Sequence, residues 1–274
     1  MLLKHYFTDK IAHSSYILAG RESCAVIDPR RDVDIYINEA RALGVVITHV
    51  LQTHLHADFV SGHLELAAKT GAKIYVAKSA HCAFDHIALA EGDEIGIEDM
   101  VLRVLETPGH TPEHLSYIVI DKSRAADPIG VFVGDTLFVG DVGRPDLFPD
   151  IAEELAGELY QSLHDKLLKL PDYVEIYPAH GAGSLCGRSM SAKWLSTIGF
   201  ERKFNSALQI KNKADFIKSL TTDMPPAPDH FSSCSGINRN GPAMLDKLHP
   251  LEELDVDQFA ERKKDPGSIL LDTR

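Results

Sequence analysis

Cysteine is scarce in this chain and poorly spaced for cross-linking or for a cysteine-based metal site. The four cysteines, Cys24, Cys82, Cys186 and Cys234, form no C-x-x-C pair. That excludes a zinc ribbon and a thioredoxin-type redox motif. Their wide spacing in a chain of 274 residues also argues against a disulfide framework, so a reducing, cytoplasmic setting is expected. Basic residues are in deficit: 28 Lys and Arg against 40 Asp and Glu, a net charge of −12. An extended surface for nucleic acid or for an anionic membrane is excluded, although a local basic pocket is not. No apolar run approaches the roughly 18 residues of a membrane span. The N-terminal "MLLKHYFTDKIAHSSYIL" has neither the sustained apolar core nor the cleavage-like site of a signal peptide. No internal repeat and no low-complexity tract is present. What remains is 44% hydrophobic, enough for a sizeable core. The length fits one large domain, or one domain with a fragment of another.

The first two-thirds alternate short apolar runs with helical patterns. "SYILAG", "CAVIDP", "VVITHVLQTH", "AKIYVA", "MVLRVLETPGH", "LSYIVI", "GVFVGD" and "VEIYPAH" read as strands, several apolar enough to be buried on both faces. "DVDIYINEARALG" and "GHLELAAKTG" read as helices with glycine stops. "IAEELAGELYQSLHDKLLKLP" reads as one long amphipathic helix, and "SMSAKWLSTIG" and "KADFIKSL" as shorter ones. From residue 221 to 250 proline enrichment and weak periodicity predict an irregular arm. The remainder, 251–274, predicts a short helix and then an apolar strand.

Four of the strands run into a residue of metal-ligand type: His54, His110, Asp135 and His180. Any one of them could be a turn residue or a satisfied hydrogen-bonder. Their repeated position at strand ends, where a rigid sheet holds loop residues in place, points to a site. His54 and His56 are two apart, which on extended backbone puts them on one side. Two histidines and a carboxylate with open positions make a catalytic metal set.

With Asp28 in "VIDP", then "THLHAD", "TPGHTP", "GDTLF" and "YPAH" in that order, residues 1 to about 200 resemble the metallo-β-lactamase superfamily. The resemblance implies an α/β fold, an αββα sandwich with its metal site at one edge of two sheets. "HADFVSGH", "TPGHTPEHLSY", "GDTLFVGDVGRPDL" and "IYPAHGAGSLCG" are most similar to persulfide dioxygenases, and among them to those fused to a rhodanese sulfurtransferase. The ending "SILLDTR" is similar to the first strand of a rhodanese domain, whose cysteine loop the chain does not reach. The implied organisation is a catalytic domain over 1–220, an arm over 221–250, and a truncated start of a rhodanese-like domain over 251–274.

The resemblance assigns one Fe(II) per chain to His54, His110 and Asp135, with zinc as the ion purified protein could carry. It makes His56, Asp58 and His180 neighbours that orient the ligands or add to them. Phe59 stands where the superfamily usually has a histidine, which removes a ligand of a second metal and favours a mononuclear site. The implied reaction oxidises a low-molecular-weight thiol persulfide, of glutathione or coenzyme A type, with O₂ to sulfite and free thiol, in sulfide detoxification. Implied partners are those small molecules and the sulfurtransferase domain of a full-length protein, with a homo-oligomer expected. Arg144 and Arg188 are candidates for holding the anionic substrate, and Cys186 for relaying sulfur. A structural role is the favoured reading for the two arginines and weighs at least equally for Cys186. The alternative function is a glyoxalase II-type thioester hydrolase with two metals and a bridging hydroxide.

Overall fold

The structure, a computed structural model, describes residues 1–224, 226–248 and 253–272. It divides into a unit over Met1–Pro242 and a smaller unit over Ala243–Arg274. Among the described residues the larger unit holds two six-stranded mixed sheets. The first runs β1 (Leu2–Thr8), β2 (His13–Ala19), β3 (Ser23–Ile27), β4 (Val46–Leu51), β5 (Lys73–Ala77) and β6 (Ile87–Leu89) in spatial order. Helices α1 (Asp34–Leu43) and α2 (His63–Thr70) make the crossovers between its parallel strands β3, β4 and β5. The second sheet contains β7 (Glu94–Ile97), β8 (Met100–Glu106), β9 (Leu115–Asp121), β10 (Pro128–Gly134), β11 (Glu175–Pro178) and β12 (Ser196–Thr197).

The apolar strands are apolar because both their faces are covered. In β9, Tyr117 and Val119 point into the core shared with the first sheet, while Ile118 and Ile120 point to the other side. In β10, Phe132 faces inward, and Val131 and Val133 face outward. That is the period of two expected of a strand. The outward set packs with Leu159 of α3 (Ala152–Gln161) and with Phe216 and Leu220 of α5 (Lys213–Thr221). Tyr36 and Leu66, from α1 and α2, join the inner cluster from the far side. The layers are therefore αββα, as the resemblance implied. No helix of the described residues is long and apolar enough to cross a membrane.

Several sequence expectations need correction. The helix expected over 151–171 is regular only to Gln161, then widens to a π-type turn at Ser162–Lys166 and tightens at Leu167–Lys169. Leu159, Leu163 and Leu167 are all buried. A spacing of four drifts by about 40° per step on an ideal α-helix, and the wider turn keeps the three leucines on the sheet. The helix expected over 189–199 starts later, as α4 (Ile198–Phe204). Thr197 caps it by accepting the Phe200 N–H at 3.2 Å, while the N–H groups of Arg188 and Ser189 are both held by Asp141 at 2.6 Å. The irregular stretch over 221–250 contains a regular helix, α6 (Phe231–Asn240), whose buried Phe231 and Asn238 are seven residues apart and share one face. In the smaller unit α7 (Val256–Arg262) forms with a capping box from Asp255 and Gln258. The expected C-terminal strand is absent from the described residues 268–272, where Ile269, Leu270 and Leu271 are exposed with no strand beside them.

Candidate metal centre

Three side chains meet at the edge of the two sheets. His54 follows β4, His110 lies in the turn after β8, and Asp135 follows β10. The Nε2 atoms of His54 and His110 lie 3.8 and 3.4 Å from Asp135 Oδ2. All three residues are buried. The positive φ of Gly134 (50°) aims Asp135 here, and a Cβ at that glycine would run into the His114 ring.

Hydrogen bonding fixes which nitrogen each histidine offers. Thr53 Oγ1 donates to Asp28 Oδ2 at 2.8 Å, so it accepts from His54 Nδ1 at 2.9 Å. Asp28 is itself set by accepting the Thr53 N–H at 2.7 Å, from a left-handed backbone with φ 52°. His110 Nδ1 donates to the Arg144 carbonyl at 2.8 Å. Both Nε2 lone pairs therefore face Asp135, and neither Nε2 has a hydrogen-bond partner. Burial lowers the pKa of both rings below the ordinary histidine value, with Asp135 opposing it, so both are in the neutral form that binds metals. Two buried, unpartnered imidazole nitrogens converging on a carboxylate are costly without a cation and suited to one. The donor set fits a divalent ion of the 2-His-1-carboxylate class.

His180, after β11, spans two carboxylates. Its Nδ1 donates to Asp135 at 2.7 Å (Oδ1) and 2.9 Å (Oδ2), and its Nε2 to Asp58 Oδ2 at 2.9 Å. Burial alone would lower its pKa, but Asp135 and Asp58 together raise it well above the usual value. Burial would raise the pKa of Asp135, but His180, His54 and His110 hold it well below. His56, Asp58 and His180 also bring ligand atoms within 4.8 Å of one another. His56 Nε2 is 3.2 Å from Asp28 Oδ1, out of hydrogen-bond alignment. The Phe59 ring is wedged against His56 and His13, with centroids 4.5 and 4.3 Å apart. It fills the place beside His56 with a group that has no donor atom.

Of the remaining sequence candidates, the structure brings Cys186 to the centre and not the guanidinium groups. The sulfur of Cys186 is within 4.8 Å of ligand atoms of Asp135 and His180. Burial, then Asp135 and Asp58, push its thiol pKa well above the normal value. Arg144 is buried in a two-bond pair with Asp146, at 2.7 Å each, and donates to the Leu185 carbonyl. Its contribution to the centre is its carbonyl on His110. Arg188 is exposed and lines a separate hollow with Ser206 and Ser219.

Sequence reasoning missed five contributors. His114 accepts the Asp135 N–H at 2.9 Å and stacks on His54 at 5.0 Å. Thr53 sets the His54 tautomer. His13 is buried beside His56 and His180, and neither ring nitrogen has a hydrogen-bond partner among the described residues. Asn238, on α6, donates to the carbonyls of His56 (2.8 Å) and Phe59 (2.9 Å) and accepts the Ser61 N–H (2.8 Å). Glu113 accepts the Leu55 N–H at 2.9 Å. The "HTPEH" segment gave a local hint of His114 and Glu113. Asn238 had no signal, because its partners lie 177 to 182 residues away.

Beside the centre opens a cleft of about 240 Å³, walled by Leu55, Ala57, Thr111 and Phe148 on one side and by Phe231 and Arg239 of α6 on the other.

The family model of the metallo-beta-lactamase superfamily matches residues 8–180. Persulfide dioxygenase ETHE1 of Mus musculus is 30% identical over 239 residues, 84% of this chain and 85% of that protein. The hydroxyacylglutathione hydrolase of Rhodospirillum rubrum is 37% identical over a shorter 161 residues, 58% of this chain and 57% of that one. Among solved structures, a metallo-beta-lactamase from Staphylococcus aureus superposes with a TM-score of 0.83 at 36% identity, covering 91% of this chain and 75% of that one. ETHE1 from Myxococcus xanthus superposes with a TM-score of 0.76 at 27% identity, covering 87% and 98%.

Proposed function

The chain belongs to the metallo-β-lactamase superfamily, and from that premise we propose that it is a mononuclear non-haem iron persulfide dioxygenase. The reaction is R–S–SH + O₂ + H₂O → R–SH + SO₃²⁻ + 2 H⁺. The observation that carries the reading is the pair of orphaned Nε2 atoms on His54 and His110 facing Asp135, next to a second cluster in which Phe59 supplies no ligand. Near full-length similarity to a protein named persulfide dioxygenase supports it.

Fe(II) held by His54, His110 and Asp135 would supply open coordination positions and the redox chemistry that side chains lack. The protein's own part is positional. Thr53 and the Arg144 carbonyl keep both imidazoles turned to one point, and His180 fixes the Asp135 carboxylate against rotation. Burial of all three keeps bulk water from the reacting atoms, and a fixed geometry removes much of the entropic cost of bringing persulfide and O₂ together. The catalytic domain on this reading is the expected 1–220 together with α6, which lies in the same unit (Met1–Pro242), and 251–274 is the start of a rhodanese-like domain.

The second reading is a dinuclear thioester hydrolase, favoured by the His56, Asp58 and His180 cluster and by the R. rubrum relative. Iron-loaded protein is assayed for O₂ uptake and sulfite with glutathione persulfide and coenzyme A persulfide, and for hydrolysis of S-D-lactoylglutathione. Uptake with sulfite and no hydrolysis is expected. Zinc alone in anaerobically purified protein, with no O₂ uptake after Fe(II) loading, would refute the dioxygenase.

A further inference from the structure

The cleft beside the centre carries two opposite charges that the reaction above does not use. Glu113 is 3% exposed. One of its oxygens accepts the Leu55 N–H, and among the described residues no basic side chain pairs with it. A buried carboxylate with no cation is costly and invites one. Arg239 is exposed on the facing helix α6. Its carbonyl accepts the Ala83 N–H at 2.9 Å, and among the described residues its guanidinium pairs with no carboxylate. Both charges bear on Cys82: burial and then Glu113 push that thiol up to about 11, and Arg239 opposes them. Glu113 and Arg239 both line the cleft, so the carboxylate and the guanidinium are neighbours across it.

We propose that this cleft holds the organic carrier of the persulfide, and that Glu113 and Arg239 select a small zwitterionic carrier, one bearing an α-ammonium and an α-carboxylate. The inference rests on the dioxygenase reading for the identity of the sulfur group. The ammonium pairs with Glu113 and the carboxylate with Arg239, while Phe148 and Phe231 cover the carbon chain. The volume agrees: about 240 Å³ is below the ~300–1,000 Å³ of pockets for drug-sized ligands. An amino-acid or short-peptide thiol fits it. The adenosine diphosphate part of coenzyme A would lie outside, with one guanidinium to meet its phosphates.

The test measures binding. The full chain, loaded with zinc so that no oxidation occurs, is titrated by calorimetry with cysteine, cysteamine, 3-mercaptopropionate, 2-mercaptoethanol and coenzyme A. The first four share a thiol on a two-carbon frame and carry both charged groups, the ammonium alone, the carboxylate alone, or a neutral hydroxyl. Cysteine is expected to bind tightest, by about tenfold for each charged group it keeps. Arg239→Ala should reduce cysteine to the affinity of cysteamine. Glu113→Gln, which keeps an acceptor for the Leu55 N–H, should reduce it to that of 3-mercaptopropionate. The exposed Arg239 position keeps the test usable if the buried Glu113 variant fails to fold. Cysteine binding no tighter than 2-mercaptoethanol, or coenzyme A binding tighter than cysteine, overturns the proposal. O₂ uptake with persulfide in a protein lacking this selectivity would sink the subsite and leave the dioxygenase. Selectivity without O₂ uptake would do the reverse.

Discussion

Replacing Asn238 with alanine should loosen the metal loop from a position that touches no ligand atom. The carboxamide makes three hydrogen bonds, to the carbonyls of His56 and Phe59 and from the N–H of Ser61, and the residue is 1% exposed. Each such bond contributes about 1 kcal/mol net, and stranding the buried backbone groups adds to the cost, for a total of about 3–5 kcal/mol. At about 2–4 °C per kcal/mol for a chain of this size, the melting temperature should fall by roughly 6–20 °C. Asn238→Asp keeps an acceptor for Ser61 but turns a carboxylate toward two carbonyl oxygens. It should be at least as damaging at neutral pH and improve relative to alanine as the pH falls. The loop also carries His54, so metal affinity should drop by about tenfold. Calorimetry and titration against a competing chelator read both effects. An alanine variant that melts within about 2 °C of the parent, or that holds metal equally well, would show that the clamp is unimportant and the reasoning wrong.

Phe59→His should raise bound metal from one equivalent toward two, because a ligand would then stand beside His56, Asp58 and His180. Elemental analysis reads this, and one equivalent in the variant removes the idea that Phe59 selects a single metal. Cys186 should react with iodoacetamide far more slowly than Cys234 in the native protein, since burial and two carboxylates hold its proton. Mass spectrometry after brief labelling tests it, and unchanged turnover in Cys186→Ser would exclude a sulfur relay there. At the end of the sandwich remote from the metal loops, Glu98 accepts the N–H groups of Arg21, Glu22 and Ser23 at 2.7–2.9 Å. These bonds lower its pKa to about 2. A carboxyl depressed on folding stabilises above its unfolded value of 4.5 and loses that contribution as the pH falls toward about 2. Urea midpoints should therefore decline less over that window in Glu98→Gln than in the parent, and parallel curves would contradict it.

Legibility followed the range of the cause. The strands "LSYIVI" and "GVFVGD" could be read because a short apolar run is a local signal, and burial on both faces makes the run nearly unbroken. The helix over 231–240 was lost in a proline-enriched stretch, because its stability comes from Phe231 and Asn238 docking on distant loops and not from its own propensity. The expected C-terminal strand shows the converse: "SILLD" has strand composition, but a strand needs a partner, and 268–272 has none among the described residues. Arg144 looked available as an anion holder because nothing in the local sequence shows that the guanidinium folds back on Asp146, two residues on, and that a further bond goes to the Leu185 carbonyl, 41 residues away.

The sequence by itself determined which chemistry-bearing residues end the strands. His54, His110, Asp135 and His180 each sit next to an apolar run; β8, β10 and β11 run the same way in the second sheet and β4 comes from the first, which is why the four ends meet at one edge. Only the tertiary structure decided what each residue does there. Asp28 reaches Thr53 across 25 positions, Arg144 reaches His110 across 34 and His180 reaches Asp135 across 45. Those contacts set the ring tautomers, the charge on His180 and the orientation of Asp135. They depend on how two sheets and α6 pack, and no periodicity along the chain encodes the pairing of groups so far apart.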